Sequence, residues 1–335
     1  MTIRSSNLDL SVPAMAPTPL ASIVIPNWNG LAHLPICLEA VRAQTYPNLE
    51  VILVDNASTD GSQTFVADEY PDIQLLALDR NLGLTGGNNL GFRAAKGEIL
   101  ISLNNDTEAE PQFVESLVAA LQDHPEAGMV AAKICLFDRR DTLHSAGDGY
   151  GVDGIPFNRG VWQHDDGQFD QAGWIFGGCG GAVAYRRALL DQVGLFDEAF
   201  FMYCEDVDLN WRSQLAGWRC WYAPQAVVYH KLSATGGGPI ASYHTGRNTL
   251  WVIAKDYPSA LLCKYWPRIL RGQWAITRDA LRAWRGRAAR AHLRGQLAGL
   301  LGWPRMLGKR RVIQASRRVP DEYIEGLLSG SPQGS

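Results

Sequence analysis

No stretch of the 335-residue sequence supplies the about 18 consecutive apolar residues that a membrane-spanning helix needs, because Arg, Lys, Asp or Gly interrupts every candidate. No transmembrane helix is expected. The first twenty residues contain one Arg, one Asp and three Pro without an apolar run, so they lack the form of a secretory signal and read as a flexible leader. Cysteine is sparse. The six thiols at 37, 135, 179, 204, 220 and 263 include no CxxC pair, which fits neither a disulfide framework nor a zinc site and suggests reduced thiols in a cytoplasm. Also missing are GxxxxGK[ST] and a GxGxxG after the first apolar run, which argues against kinases and dehydrogenases.

What is present describes a folded protein. Hydrophobic residues make up 46% and charged residues 19%, while 34 Gly and 17 Pro spread along the chain mark many turns. The length suits one large or two ordinary domains. The formal charge of −3 hides an asymmetry: Lys264 to Arg318 hold fifteen Lys and Arg against the single acid Asp279, whereas residues 1–263 hold sixteen basic and thirty acidic residues. An acidic body that handles cations, joined to a basic segment drawn to anions, is expected.

Residues 21–26, 49–55, 72–78 and 97–104 are short apolar runs ended by Asn, Asp or Pro, and they read as strands. Helical spacing fills 31–44, 61–70 and 84–96 between them. This alternation predicts an α/β fold with a mostly parallel sheet covered on both faces and ligands beyond the carboxyl ends of its strands. A helix at 111–123 and a strand at 127–133 continue it, 138–178 turns irregular, and helices at 187–193 and 205–216 with short strands near 218–222 and 226–230 follow.

The polar clusters fall where that topology puts a site. Asn104-Asn105-Asp106 follows a buried strand, where a carboxylate is costly unless a cation or hydrogen bonds compensate it, so a divalent metal or a self-bonded turn explains it. Asp55 ends an apolar strand and suits a nucleotide's base or ribose. Asn81 to Asn89, with Gly86 and Asn88, combines close-approach glycines with amides ahead of a helix start that favours phosphate or sugar oxygens. Glu205, Asp206 and Asp208 open a helix after the apolar Phe200–Tyr203, either complementing its dipole or lining a pocket rim that suits a general base. His230 ends a strand as a candidate metal contact, and Arg247 is a cation that meets phosphate or a surface acid.

In order and spacing, SIVIPNWN, VDNASTDGS, NLGLTGGNN, LNNDTE, FFMYCEDVDLNWR, Gly217 and VVYH resemble the inverting family 2 glycosyltransferases of the GT-A fold, within a rhamnosyltransferase-like branch, over about residues 21–255. The resemblance implies that Pro26, Asn27, Asn29 and Asp55 line the nucleotide site, with Asn81 and the 86–89 loop near the diphosphate or sugar. Asp106 corresponds to the last acid of the DxD metal motif for Mg²⁺ or Mn²⁺, and His230 to a histidine that completes the metal site in some members. Asp206 matches the second acid of the ED pair, the catalytic base. Glu205 and Asp208 then bind acceptor hydroxyls or orient the helix, Trp174 belongs to the irregular segment expected to contact the acceptor, and Arg247 joins Asn104 and Asn105 on the donor side. One departure stands out: Asn104 replaces the first DxD acid and adds no charge, so metal binding leans more on the diphosphate.

The resemblance favours dTDP-L-rhamnose as donor and a hydroxyl of a glycan, glycolipid or lipid-linked glycan as acceptor. A nucleotidyltransferase is the competing reading, although Pro26–Gly30 carries no basic residue. A non-catalytic sugar-nucleotide-binding protein is another, against which Asp106 and Asp206 argue. In the basic segment, Trp274, Leu281, Trp284, Ala288 and Ala291 mark one stripe of an Arg-rich amphipathic helix suited to an anionic membrane or to packing on the domain. No nucleic-acid reader module accompanies it, so nucleic acid is not an expected partner. The expected organisation is a leader at 1–19, a GT-A domain at 20–255, a basic helical region at 256–320 and a flexible tail at 321–335, working at the inner face of the cell membrane.

Overall fold

The computed structural model describes residues 18–232 and 237–329. The leader, apart from its last two residues, and the final six residues of the expected tail lie outside the described residues. The first half alternates as its apolar pattern dictates: β1 (Ala21–Asn27), α1 (Leu34–Arg42), β2 (Leu49–Asp55), α2 (Ser62–Glu69), β3 (Gln74–Ala77), α3 (Gly83–Ala94), β4 (Ile99–Leu103), β5 (Thr107–Ala109), α4 (Phe113–Asp123) and β6 (Ala127–Leu136). Every residue of β1, β4 and β6 is buried, as unbroken apolar runs between covering layers require. The irregular middle holds only the short β7 (Leu143–Ser145), β8 (Asp148–Tyr150), β9 (Pro156–Asn158) and β10 (Gly173–Ile175). Then come β11 (Ala182–Arg186), α5 (Arg187–Val193), α6 (Glu205–Leu215) and β12 (Arg219–His230). The two short strands expected near 220 and 228 are a single strand, whose register shifts between Ala223 and Val227, where Pro224 has no N–H to give the ladder.

The main sheet runs β10-β12-β6-β11-β4-β1-β2-β3, with β5 on β12 and β7 on β6. β1 pairs in parallel with both β2 and β4, β2 with β3, and β6 with β12, while β11 runs antiparallel between β4 and β6. Asn27 therefore stands opposite Asp55, and the segments after β1 to β4 gather along one edge. His230, paired with Thr107 of β5, closes that edge from the far side.

Five helices follow: α7 (Pro239–Lys255), α8 (Ser259–Arg282), α9 (Arg287–Leu301), α10 (Trp303–Ala315) and α11 (Asp321–Leu327). Tyr257, Met306 and Ile324 share one core with Tyr150, Phe200 and Trp211, so these helices are packed into the body rather than trailing from it. The expected flexible tail from 321 is corrected over the described part. Asp321 and Glu322 suit the first turn of α11, Ile324 is fully buried, and the Tyr323 hydroxyl donates to Gln214 Oε1 at 2.7 Å. The single amphipathic stripe is also corrected, because the chain leaves the helix after Arg282 and starts α9 at Arg287, which carries Ala288 and Ala291 away from Trp274. The exposed stripe is instead Trp266, Leu270, Trp274, Leu281 and Trp284, with its last member in the turn after α8.

Candidate active site

A cavity of about 520 Å³ opens at the carboxyl edge of the sheet. Nine of the expected residues line it: Pro26, Asn27, Asn81, Asn104, Asn105, Asp106, Glu205, Asp206 and His230. On its sheet side, Asn27 Nδ2 donates to Asp55 Oδ2 at 2.8 Å, and Asn27 Oδ1 accepts from Asn105 Nδ2 at 2.6 Å.

Seven expected residues lie behind the wall or away from it. Asp55 is fully buried and spends Oδ1 on the Ser58 N–H and on Gln63 Nε2, both at 2.8 Å, so it locks two loops together. Asn29 is exposed and accepts from the Thr59 N–H at 2.8 Å, pinning the same loops from outside. Gly86 and Asn88 lie inside α3, which begins at Gly83, and are buried there. That helix presses onto the sheet so closely that a Cβ on Gly91 would fall 2.2 Å from Val24 Cγ1, and Asn88 Oδ1 is taken by the Ser102 hydroxyl. Trp174 sits at the sheet edge against Trp221, with the Arg219 guanidinium 3.6 Å from its ring centre. Asp208 is fully buried in ion pairs with Lys255 and, at 2.8 Å, Arg212. Arg247 donates to the carbonyls of Ala199 and Phe200 at 3.2 and 2.7 Å, and so holds backbone instead of lining the cavity.

Those carbonyls belong to the turn that delivers the acids. Phe201, Tyr203 and Cys204 have φ of 66°, 65° and 61°, a left-handed conformation that costs a non-glycine residue roughly 1–3 kcal/mol. Asn248, fully buried next to Arg247, offsets the strain: its Nδ2 reaches the carbonyls of Phe200, Met202 and Tyr203 at 3.1, 2.9 and 2.6 Å. The turn places Glu205 and Asp206 at the start of α6. Asp206 accepts from the Gly180 N–H and the Val207 N–H, each at 2.8 Å. Burial raises its pKa above the usual aspartate value, and these two donors hold it back. Glu205 is raised well above the ordinary range by burial and then by Asp206.

Sequence reasoning missed Asp148, which comes up through β8 from the irregular segment and lines the cavity. Burial and then Asp206 push its carboxyl well above the usual range. Flanked by Gly147 and Gly149, it reads in the sequence as an ordinary turn residue. His144, a lone histidine in the same segment, was missed for the same reason; burial and then His230 lower it to about 3.

Two donor sets face the cavity. In one, Asp106 Oδ1 is 3.0 Å from His230 Nε2, and Asn104 Oδ1 is buried without a partner. A carboxylate, an imidazole and an orphaned amide oxygen fit a divalent ion of the Mg²⁺ or Mn²⁺ kind. In the other, ligand atoms of Asp148, Cys179 and Asp206 lie within 4.8 Å of one another. This second set suits an ion of that kind less well, because Asp206 already accepts two backbone N–H groups and an oxygen-preferring cation gains little from the Cys179 thiol.

Sheet, cavity and C-terminal helices together have the GT-A glycosyltransferase architecture. A solved mannosyltransferase from Pyrobaculum calidifontis, in complex with GDP-Man and Mn²⁺, superposes with a TM-score of 0.53 at 18% identity over 90% of this chain and 88% of that one. GalNAc-T7 with UDP, GalNAc and Mn²⁺ gives 0.56 at 17% identity over 71% of this chain and 48% of its own. The profile of glycosyl transferase family 2 matches residues 22–194, and the chain belongs to that family. Among its relatives is the N-acetylglucosaminyl-diphospho-decaprenol L-rhamnosyltransferase of Mycobacterium tuberculosis, 28% identical over 334 residues that span 92% of this chain and 99% of the relative.

Proposed function

We propose that this glycosyltransferase moves L-rhamnose from dTDP-L-rhamnose to a hydroxyl of a lipid-linked glycan, with inversion at the anomeric carbon. The observation that carries the reading is that Asp206 and the Asp106–His230 pair open into one cavity. The near full-length match to a rhamnosyltransferase whose named acceptor is a polyprenyl diphosphate sugar supports the choice of substrates. Asp206 takes the proton of the acceptor hydroxyl as its oxygen bonds to the anomeric carbon from the face opposite the nucleotide. The bond to the diphosphate breaks on the other side, and its electron pair leaves with dTDP. A single displacement of this kind inverts the configuration. Asp106 and His230, with the Asn104 amide oxygen, are the residues that would hold a divalent ion, whose chemistry is to neutralise the diphosphate as a Lewis acid. Asn27, Asn81 and Asn105 face the donor, and Glu205 and Asp148 stand beside Asp206 on the acceptor side.

Purified protein given dTDP-L-rhamnose, Mn²⁺ and a polyprenyl diphosphate N-acetylglucosamine is expected to form one new glycoside whose anomeric configuration, read by NMR, is opposite to the donor's. A retained configuration, or no transfer from any sugar nucleotide, would overturn the proposal.

A lipid-linked acceptor places the enzyme at a bilayer surface, here the cytoplasmic one. No helix among the described residues is long and apolar enough to cross a membrane. The exposed Trp266, Leu270, Trp274, Leu281 and Trp284 instead form an interfacial face, beside Arg271, Arg278, Arg282 and Arg285, that suits anionic lipid. Through Gly272 the same helix rests on Asp153 and Ile155, and Pro156, next along the chain, lines the cavity. The protein is expected to float with vesicles containing anionic lipid, and the combined Trp266→Ala, Trp274→Ala and Trp284→Ala variant to remain in the soluble fraction. Equal flotation of both proteins would assign the contact to another surface.

A further inference from the structure

His230 has two ring nitrogens with different neighbours. Nε2 faces Asp106 Oδ1 at 3.0 Å and Asn104 Nδ2 at 3.4 Å, whereas Nδ1 lies 3.2 Å from Nδ1 of His144. The two imidazole centres are 5.1 Å apart and their planes meet at 41°. The strands fix this arrangement. β6 pairs with β12 on one side, opposing Leu136 to His230, and with β7 on the other, opposing Cys135 to Leu143 and Ile134 to Ser145. His144, between the two paired residues of β7, reaches the cavity that His230 also lines.

Two imidazole nitrogens at 3.2 Å form a hydrogen bond only when one carries a hydrogen and the other does not. A histidine that binds a cation through Nε2 must leave that nitrogen bare, which puts its ring hydrogen on Nδ1 and calls for an acceptor there. We propose that His144 is the positioning residue of the cation site, accepting the Nδ1–H of His230 so that its bare Nε2 faces Asp106. The inference rests on the reading of Asp106 and His230 as that site. It matters more here than where two carboxylates are present, because Asn104 brings no charge and the orientation of one imidazole then decides a larger share of the affinity. His144 is not itself placed as a ligand, since among the described residues its nitrogens form no three-way cluster with His230 and Asp106.

The test is titration of the full-length protein with Mn²⁺ alone, following free Mn²⁺ by electron paramagnetic resonance, with thermal unfolding as a check on the fold. His144→Ala is expected to weaken Mn²⁺ binding by roughly 10–100-fold, the usual cost of losing a group that orients a metal-binding histidine. His144→Asn, whose amide oxygen can accept the same hydrogen, is expected to restore affinity to within a few fold. Unchanged affinity in His144→Ala, or an equal loss in folded His144→Asn, overturns the role. His230→Ala and Asp106→Ala separate this failure from that of the site: if both bind Mn²⁺ like the wild type, the cation-site reading fails; if both lose it while His144→Ala does not, only the inference about His144 fails.

Discussion

Asp206→Asn is expected to lower the transfer rate by roughly 10²–10⁴-fold, the usual worth of a positioned general base, while the affinity for the sugar nucleotide stays within a few fold. The substitution keeps the shape of the side chain and removes its capacity to take a proton. It also turns an amide N–H toward one of two backbone N–H groups, from Gly180 or Val207, that now donate to the carboxylate, so stability should be recorded alongside. Turnover, and calorimetric binding of dTDP-L-rhamnose, measure the two effects separately. Turnover close to that of the wild type would show that Asp206 is not the base. The wild-type pH profile provides a second reading. Since burial raises the Asp206 pKa, activity should fall, as pH drops, through a pKa above that of an ordinary aspartate, because the protonated form cannot accept the acceptor's hydrogen.

Lys255→Met is expected to cost about 3–5 kcal/mol of stability, the range for removing one member of a buried ion pair. The Lys255 ammonium is 2% exposed and contacts Asp208 together with, at 2.8 Å, Asp197. Although burial opposes its charge, Asp208, Asp256 and Asp197 hold its pKa above the ordinary lysine value. Met preserves the stem and leaves two buried carboxylates short of a cation. Arg212 remains for Asp208 and Lys309 for Asp197, so the loss belongs at the lower end of this range. Urea unfolding followed by Trp fluorescence measures it. A loss under about 1 kcal/mol would mean that Arg212 and Lys309 suffice.

The parallel half of the sheet was legible because its strands are unbroken apolar runs and each ends in a polar cluster. Asn27, Asn105 and Asp106 could therefore be placed on one edge from the sequence, whereas Asp206 is read there only as an acid opening a helix at a pocket rim. The surroundings of Asp55 and Asn88 were not legible, because local sequence shows a polar residue at a strand end or in a glycine loop but does not show what its side chain will meet. Asp55 finds three donors, from the end of β1, the loop after β2 and the first turn of α2, and Asn88 of α3 finds Ser102 on β4. The surroundings of Arg247 and Asp208 were hidden for a related reason: Arg212, four residues on in the same helix, is a local partner of Asp208, but Ala199 and Phe200 for Arg247 and Lys255 for Asp208 are brought by long-range packing. Asp148 and His144 were invisible because the segment that carries them has no periodicity, and it acquires its place only by pairing with β6 and the 177 loop.

The family profile ends at residue 194, yet the acid at 206 is aimed by the amide of Asn248 and the guanidinium of Arg247. If Asp206 is the base proposed above, its placement depends on α7 as well as on the segment that the profile covers. A chimera that took its C-terminal helices from a relative would exchange the grip on this turn together with the exposed Trp266–Trp284 stripe, so turnover and the proposed vesicle binding are expected to change together when that region is exchanged.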